Sequence, residues 1–306
     1  MPTHPGSALC AAVELGGTKC RCLLGSGPQD IRAEARIETR APAETLREIG
    51  AVLAAWQDQH GFSALGIATF GPADLDSRSP TYGTLMGTPK PGWDRIPLLP
   101  TFGPLEVPLG LDTDVNAAAR AEGVWGGARG LNSYAYVTVG TGIGVGTMIG
   151  QRPVSGLGHS EAGHMRIPRL HGDAWPGSCP FHRDCAEGLA SGPAIQARTG
   201  RQASELPADH PVWDSVAHAL GGLLHNLVLT AAPERILVGG GVVAGQPHLL
   251  ARVRQALLAS LNGYAQARAI ARAPEQFLAA PALGERAGSL GALALAQRAL
   301  LAQECF

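Results

Sequence analysis

The sequence predicts a two-domain α/β fold with a cleft between its lobes, and three observations carry that prediction. Residues 9–27 read as strand, turn, strand, with Gly16, Gly17 and Thr18 at the turn. Residues 134–156 repeat the same logic around Gly140, Thr141 and Gly142. Each hairpin is followed by helical segments, and a sheet buries its apolar face against such helices. A chain of 306 residues is long enough to build two cores this way, and a cleft between two lobes is where ligands collect.

The elements follow in order. Apolar residues run from Leu9 into the first Gly-rich turn and resume through Leu24. The backbone N–H groups of such a turn stand open to an anion. Cys20 and Cys22 are two apart on the second strand, so they share a face and pack there. Residues 43–60 place Leu46, Ile49, Val52, Leu53 and Trp56 at helical spacing. The run "ALGIATFG" (64–71) is a short buried strand, and Pro/Gly-rich loops including "TPKPGW" extend to residue 112. Asp114 stands cap-like at the start of a helix over 114–126. After the second hairpin come helices over 211–231 and 246–262, the strand of "ERILVGGGVVAG" between them, and a small-residue helix over 284–303.

Composition excludes several function classes. With 45% hydrophobic and 16% charged residues and a formal net charge of -1, the chain lacks the field of a nucleic-acid or polybasic membrane binder. No run has the length of a transmembrane helix. The first residues lack a charged segment followed by a long apolar one, so no leader and a cytoplasmic location are expected. The 41 Gly and 23 Pro are dispersed, as in a protein with many tight turns. Only two lysines occur, Lys19 and Lys90. The six Cys do not form the disulfide framework of a small secreted domain.

The Gly-rich turns match neither standard nucleotide motif. "ELGGTK" (14–19) is not G-x-x-x-x-G-K-[ST], and "VGTGIGVG" (139–146) is not G-x-G-x-x-G. Glycine still removes side chains where an anion must approach the backbone, and Thr18 and Thr141 add hydroxyl donors. Two matching turns, with Gly239, Gly240 and Gly241 after a third strand, point to a nucleotide. Glu14 beside a phosphate turn calls for Mg²⁺ between them, through water; otherwise it is a solvated charge at a strand end. Lys19 either meets a phosphate as a point charge or sits on the exposed face of the hairpin. Asp114 either caps its helix or accepts a hydroxyl proton as that oxygen attacks phosphorus.

A metal-ligand pattern lies between the lobes' motifs. Cys179, His182 and Cys185 make C-x-x-H-x-x-C, and an upstream His164 or His171 completes two S and two N donors, a tetrahedral zinc set. Four protein ligands leave no open position for an activated water. H-E-x-x-H is absent, since the local order is "HSEAGH". The zinc is therefore read as structural; the alternative is unligated Cys and His in a loop.

Taken together, "ELGGTK", "ATFGPADL", "TPKPGW", "DTDVNAAA", "VGTGIGVG", "HSEAGH", "CPFHRDCAEGLASGPAI" and "LVGGGVV" resemble the ROK family of sugar kinases and transcriptional regulators, and most of all its bacterial fructokinases. The stretches run in the family's order over nearly the whole chain. The resemblance implies the two-lobed actin-like ATPase (ribonuclease H-like) fold with an interdomain cleft. Its small domain would be 1–116 plus 289–306, and its large domain 117–288 with the zinc-binding loop. It implies Asp114 as general base, and Gly71, Glu161, His164 and Glu187 as sugar contacts. It implies an ATP site from Gly17, Thr18, Lys19, Thr141, Gly142, Pro193, Gly239, Gly240, Gly241, Val242 and Val243. It favours His164 as the fourth zinc ligand with Cys179, His182 and Cys185, and Glu14 beside Mg²⁺. Thr113 stands where many family glucokinases carry Asn, which fits D-fructose better than glucose. ATP, Mg²⁺ and structural Zn²⁺ are the implied cofactors, and a homodimer is a common state in the family. Kinases for mannose, glucose or N-acetylmannosamine, and a sugar sensor without catalysis, are the competing functions. The sensor reading is disfavoured because the first phosphate turn begins by residue 14, leaving no room for a helix-turn-helix domain before it.

Overall fold

The computed structural model describes residues 8–304; residues 1–7, where a leader was sought, and Cys305 lie outside that range. The chain divides into two compact units. The first comprises the described residues up to Arg129, Ser155–His159, and the described residues from Glu285 onward. The second comprises Gly130–Val154 and Ser160–Gly284.

In the first unit the elements are β1 (Cys10–Leu15), β2 (Lys19–Gly27), β3 (Asp30–Glu38), α1 (Pro42–His60), β4 (Leu65–Thr69), β5 (Leu109–Thr113), α2 (Asp114–Trp125) and the closing α10 (Ala287–Glu304). Its sheet runs β3-β2-β1-β4-β5. β1 and β2 are antiparallel, while β1, β4 and β5 are parallel. β4 reads LGIAT because both its faces are covered. α10 lies directly on it: a Cβ on Gly66 would stand 1.8 Å from the Ala292 carbonyl oxygen, and one on Gly110 would stand 2.5 Å from that of Leu295. The small residues of α10 thus follow from close backbone approach.

The second unit holds β6 (Ser133–Val139), β7 (Ile143–Ile149), β8 (Arg152–Pro153), α3 (Ala186–Ala190), α4 (Gly192–Thr199), α5 (Val212–Ala231), β9 (Arg235–Gly239), α6 (Gly241–Gly245), α7 (His248–Leu261), α8 (Ala267–Arg272), α9 (Pro274–Phe277) and β10 (Leu278–Ala279). Its sheet runs β10-β9-β6-β7-β8, with β6 and β7 antiparallel and β6, β9 and β10 parallel. Read from the other end, this is the order of the first sheet strand for strand. The core packs α5 and α7 on that sheet through Trp213, Leu220, Leu224, Val253 and Leu257, all buried.

Two expectations shift. A cut at 116 falls inside α2, which stays whole in the first unit up to Arg129. The reason is packing: a Cβ on Gly291 of α10 would meet the Ala117 carbonyl oxygen of α2 at 2.1 Å. The N-cap of α2 is Thr113, whose Oγ1 accepts from the Asn116 amide at 3.2 Å, and Asp114 is the first residue inside. β3 was not foreseen. It is an edge strand whose alternating charges leave one face in water. Among the described residues no helix is long and apolar enough to cross a membrane.

Candidate active site

In the first unit the register Leu15↔Thr69↔Thr113 aligns the carboxyl ends of three parallel strands. The turn 16–18, Gly71 and Asp114 therefore leave the sheet at one edge, where open α/β sheets place their ligands. The carbonyls of the turn are held one after another. Gly16 O accepts from Thr39 Oγ1 at 2.7 Å, Thr18 O accepts from the Thr39 amide at 3.0 Å, and Gly17 O accepts from Lys90 Nζ. The hairpin requires glycine at 16, where a Cβ would stand 2.5 Å from the Lys19 carbonyl oxygen, but has open space at 17. Gly17, Thr18 and Lys19 are exposed.

Glu14 turns toward the start of α10. Its carboxylate accepts from the Ser289 amide, and a Cβ on Gly288 would stand 2.2 Å from Glu14 Oε1. Burial raises its pKa, opposed by Arg21, Lys19 and that amide. The helix N-terminus is thus one partner of a charge that sequence alone left to Mg²⁺ or solvent.

At the end of β5, Asp112 is buried and Asp114 half-buried. Asp112 Oδ1 accepts from the Thr113 amide and from Asn116 Nδ2, each at 2.8 Å. Burial raises its pKa, opposed by Asn116, the Thr113 amide, Arg120 and His159. Asp114 Oδ1 accepts from the Val115 amide at 2.8 Å. His159 Nε2 accepts from the Ala73 amide at 3.0 Å, two residues beyond Gly71. Asn116, Thr39 and His159 were missed in the sequence. Asn116 had a signal, its i+4 spacing from Asp112 across a helix start; the other two had none.

In the second unit the turn 140–142 and the glycines after β9 share the corresponding edge, through the register Thr138↔Gly239. Gly240 has φ +91, and a Cβ there would stand 2.4 Å from the Val139 carbonyl oxygen, so only glycine fits. Gly241 opens α6 in open space, with Val242 and Val243 buried behind it. The Gly192 amide donates to Gly140 O at 2.8 Å, which sets exposed Pro193 near the turn at the start of α4. Thr141 is exposed. Glu187 Oε2 accepts from the Ile143 amide at 3.0 Å and occupies the space a Cβ on Gly142 would need.

The Cys/His cluster is His164, Cys179, His182 and Cys185, with all four ligand atoms within 4.8 Å of one another. His171 is exposed and outside it. His164 Nδ1 lies 3.6 Å from each sulfur, and Cys179 Sγ lies 3.8 Å from His182 Nδ1. Reciprocal backbone hydrogen bonds between Cys179 and Arg183 tighten the loop, and the Gly188 amide donates to Cys185 Sγ at 3.5 Å. His164 Nε2 faces Glu187 Oε1 at 3.9 Å. Such a set can hold one metal ion. Exposed Glu161 precedes the short turn Ala162–His164.

The sequence profile of the ROK family matches residues 10–299. The chain belongs to the ROK family. A fructokinase of Zymomonas mobilis is 39% identical over an alignment of 294 residues that covers 93% of this chain and 95% of that protein. A fructokinase of Pediococcus pentosaceus is 36% identical over 293 residues, 95% of this chain and 99% of that one. The solved ROK hexokinase from Thermus thermophilus aligns with a TM-score of 0.77 at 26% identity, covering 97% of this chain and 100% of that one. The paired sheets of this ROK protein are those of the actin-like ATPase fold.

Proposed function

We propose that this ROK protein is a fructokinase, transferring the γ-phosphoryl group of ATP to the 6-hydroxyl of D-fructose. The observation that carries the reading is full-length similarity to fructokinases of two organisms at 36% and 39% identity. Asp114, at the first turn of α2, takes the hydroxyl proton as the oxygen attacks phosphorus. Its carboxylate is held by the Val115 amide and is half-buried at the helix start. Gly71, Glu161, His164 and Glu187 contact the sugar. Gly17, Thr18, Lys19, Thr141 and Gly142 take the phosphates. Pro193, Gly239, Gly240, Gly241, Val242 and Val243 border the rest of ATP. Mg²⁺ with ATP supplies charge neutralisation, and Glu14 would hold it through water.

The metal assigned to the cluster is zinc. A tetrahedral ion bound at usual Zn–S and Zn–N lengths sets sulfur and nitrogen about 3.6 Å apart, and the S···N distances of 3.6 and 3.8 Å support that fit. His164, Cys179, His182 and Cys185 would hold it, and it would supply shape rather than chemistry. With Nδ1 on the metal, His164 keeps Nε2–H for Glu187 or a sugar hydroxyl.

The test is ADP release from the purified protein with MgATP against fructose, mannose, glucose and N-acetylmannosamine in parallel. Preference for fructose is expected. Preference for another hexose replaces the substrate, and no turnover with any of the four, in folded protein with its metal, replaces the fructokinase reading with a sensor or a kinase for an untested substrate.

A further inference from the structure

We infer that Lys90 is a catalytic residue whose ammonium contacts the γ-phosphoryl group in transit. The inference rests on the kinase reading above and adds a residue to its site. Of 24 basic side chains only Lys19 and Lys90 are lysines, and both sit at the turn 16–18. Lys19 begins β2 beside the turn, and Lys90 Nζ donates to Gly17 O from a separate loop. Everywhere else this chain uses arginine. A compact ammonium suits a single phosphoryl oxygen, whereas a guanidinium demands a forked partner.

The loop carrying Lys90 is built to deliver that charge. The Lys90 amide donates to Thr88 Oγ1 at 3.3 Å, and the Trp93 amide donates to Lys90 O at 3.1 Å. Trp93 is fully buried, its Nε1 donates to Arg40 O at 3.0 Å, and its ring meets Phe70 edge-on at 5.4 Å. Thr39, the residue before Arg40, holds the carbonyls on either side of Gly17. Both ends of the Lys90 side chain are therefore fixed to one frame. An ammonium has three N–H donors, and Gly17 O takes one.

In the transfer, the bond from γ-phosphorus to the β–γ bridging oxygen breaks with its electron pair going to ADP. A bond from the sugar oxygen to phosphorus forms, and the hydroxyl proton passes to Asp114. Lys90 keeps its proton and neutralises charge on the moving group.

The experiment compares wild type, K90Q and K90R for fructose turnover, ADP affinity and melting temperature. K90Q is expected to lower kcat about 30-fold or more, with fructose KM and ADP affinity within about twofold. K90R is expected to recover part of the loss by restoring charge. K90Q within about threefold of wild-type kcat overturns the inference alone. So does a K90Q loss shared by ADP affinity and melting temperature and not relieved in K90R, since Lys90 would then only brace the turn. A wild type that phosphorylates no hexose overturns the functional reading and this inference with it.

Discussion

Glu187 accepts a hydrogen bond from the Ile143 amide at 3.0 Å, tying the helix that starts after Cys185 to the turn 140–142. Its other carboxylate oxygen faces His164 Nε2 at 3.9 Å. One carboxylate thus meets the Cys/His cluster on one side and the glycine-rich turn on the other. The two features that the sequence presents as separate motifs are one construction.

Removing the metal should therefore disturb more than the loop. Cys179→Ser is expected to lose the bound metal, lower the melting temperature by roughly 5 °C or more, and raise fructose KM. Metal content by atomic emission, with melting curves before and after chelation, checks this. Equal stability with and without metal would show that the loop holds itself. Added Mg²⁺ should not restore the chelated protein.

Gly142→Ala tests the turn directly. The new Cβ would stand 2.7 Å from Glu187 Oε2, the free end of a side chain that can swing aside. The fold should survive, with fructose KM raised about tenfold as Glu187 is displaced. Gly163→Ala is the control. Its Cβ would stand 1.7 Å from the Ile143 carbonyl oxygen, which is backbone, and so it should fail to fold well. A Gly142→Ala protein with wild-type KM would mean that Glu187 has no part in sugar binding.

Much of this was legible in the sequence, for physical reasons. Helices α1, α5 and α7 announced themselves by apolar spacing, and the turns by glycine where backbone approaches backbone. The Cys/His spacing named three ligands and left His164 and His171 open, because sequence distance says nothing about which His the chain brings back. The edge strand β3 stayed hidden behind its charges. Thr39 and His159 act through a backbone carbonyl and a backbone amide far away in sequence, and such partners leave no pattern. The internal duplication was visible only as two similar turns, whereas the shared strand order needs the pairing itself.

Asp114→Asn should separate chemistry from binding. Asn keeps an Oδ1 for the Val115 amide, so the start of α2 should hold. It cannot take a proton. Turnover is expected to fall about 10²- to 10⁴-fold, with little change in the affinities for fructose and ATP measured by calorimetry. Near-normal turnover would remove Asp114 as the base.

Asp112 makes a prediction about pH. Burial holds its carboxyl above the usual range, so between the unfolded value of about 3.9 and the raised folded value the native state binds more protons than the unfolded one. Stability contributed at this site therefore falls as pH rises through that window, and stays low above it. Both groups that donate to Oδ1, the Thr113 amide and Asn116 Nδ2, can still donate to an asparagine oxygen, though more weakly than to a carboxylate. Asp112→Asn removes the charge and keeps the geometry. Its melting temperature should exceed that of wild type at pH 8, by roughly a few degrees, and the gap should close toward pH 4. The hydrogen bonds from Asn116 and the Thr113 amide oppose this first and Arg120 after them, but burial is the largest cause and the net direction is upward. A variant less stable than wild type at pH 8 would show that the hydrogen bonds to the carboxylate and the Arg120 charge outweigh burial. Asp112 would then be a paired anion that the fold depends on, rather than a charge that it tolerates.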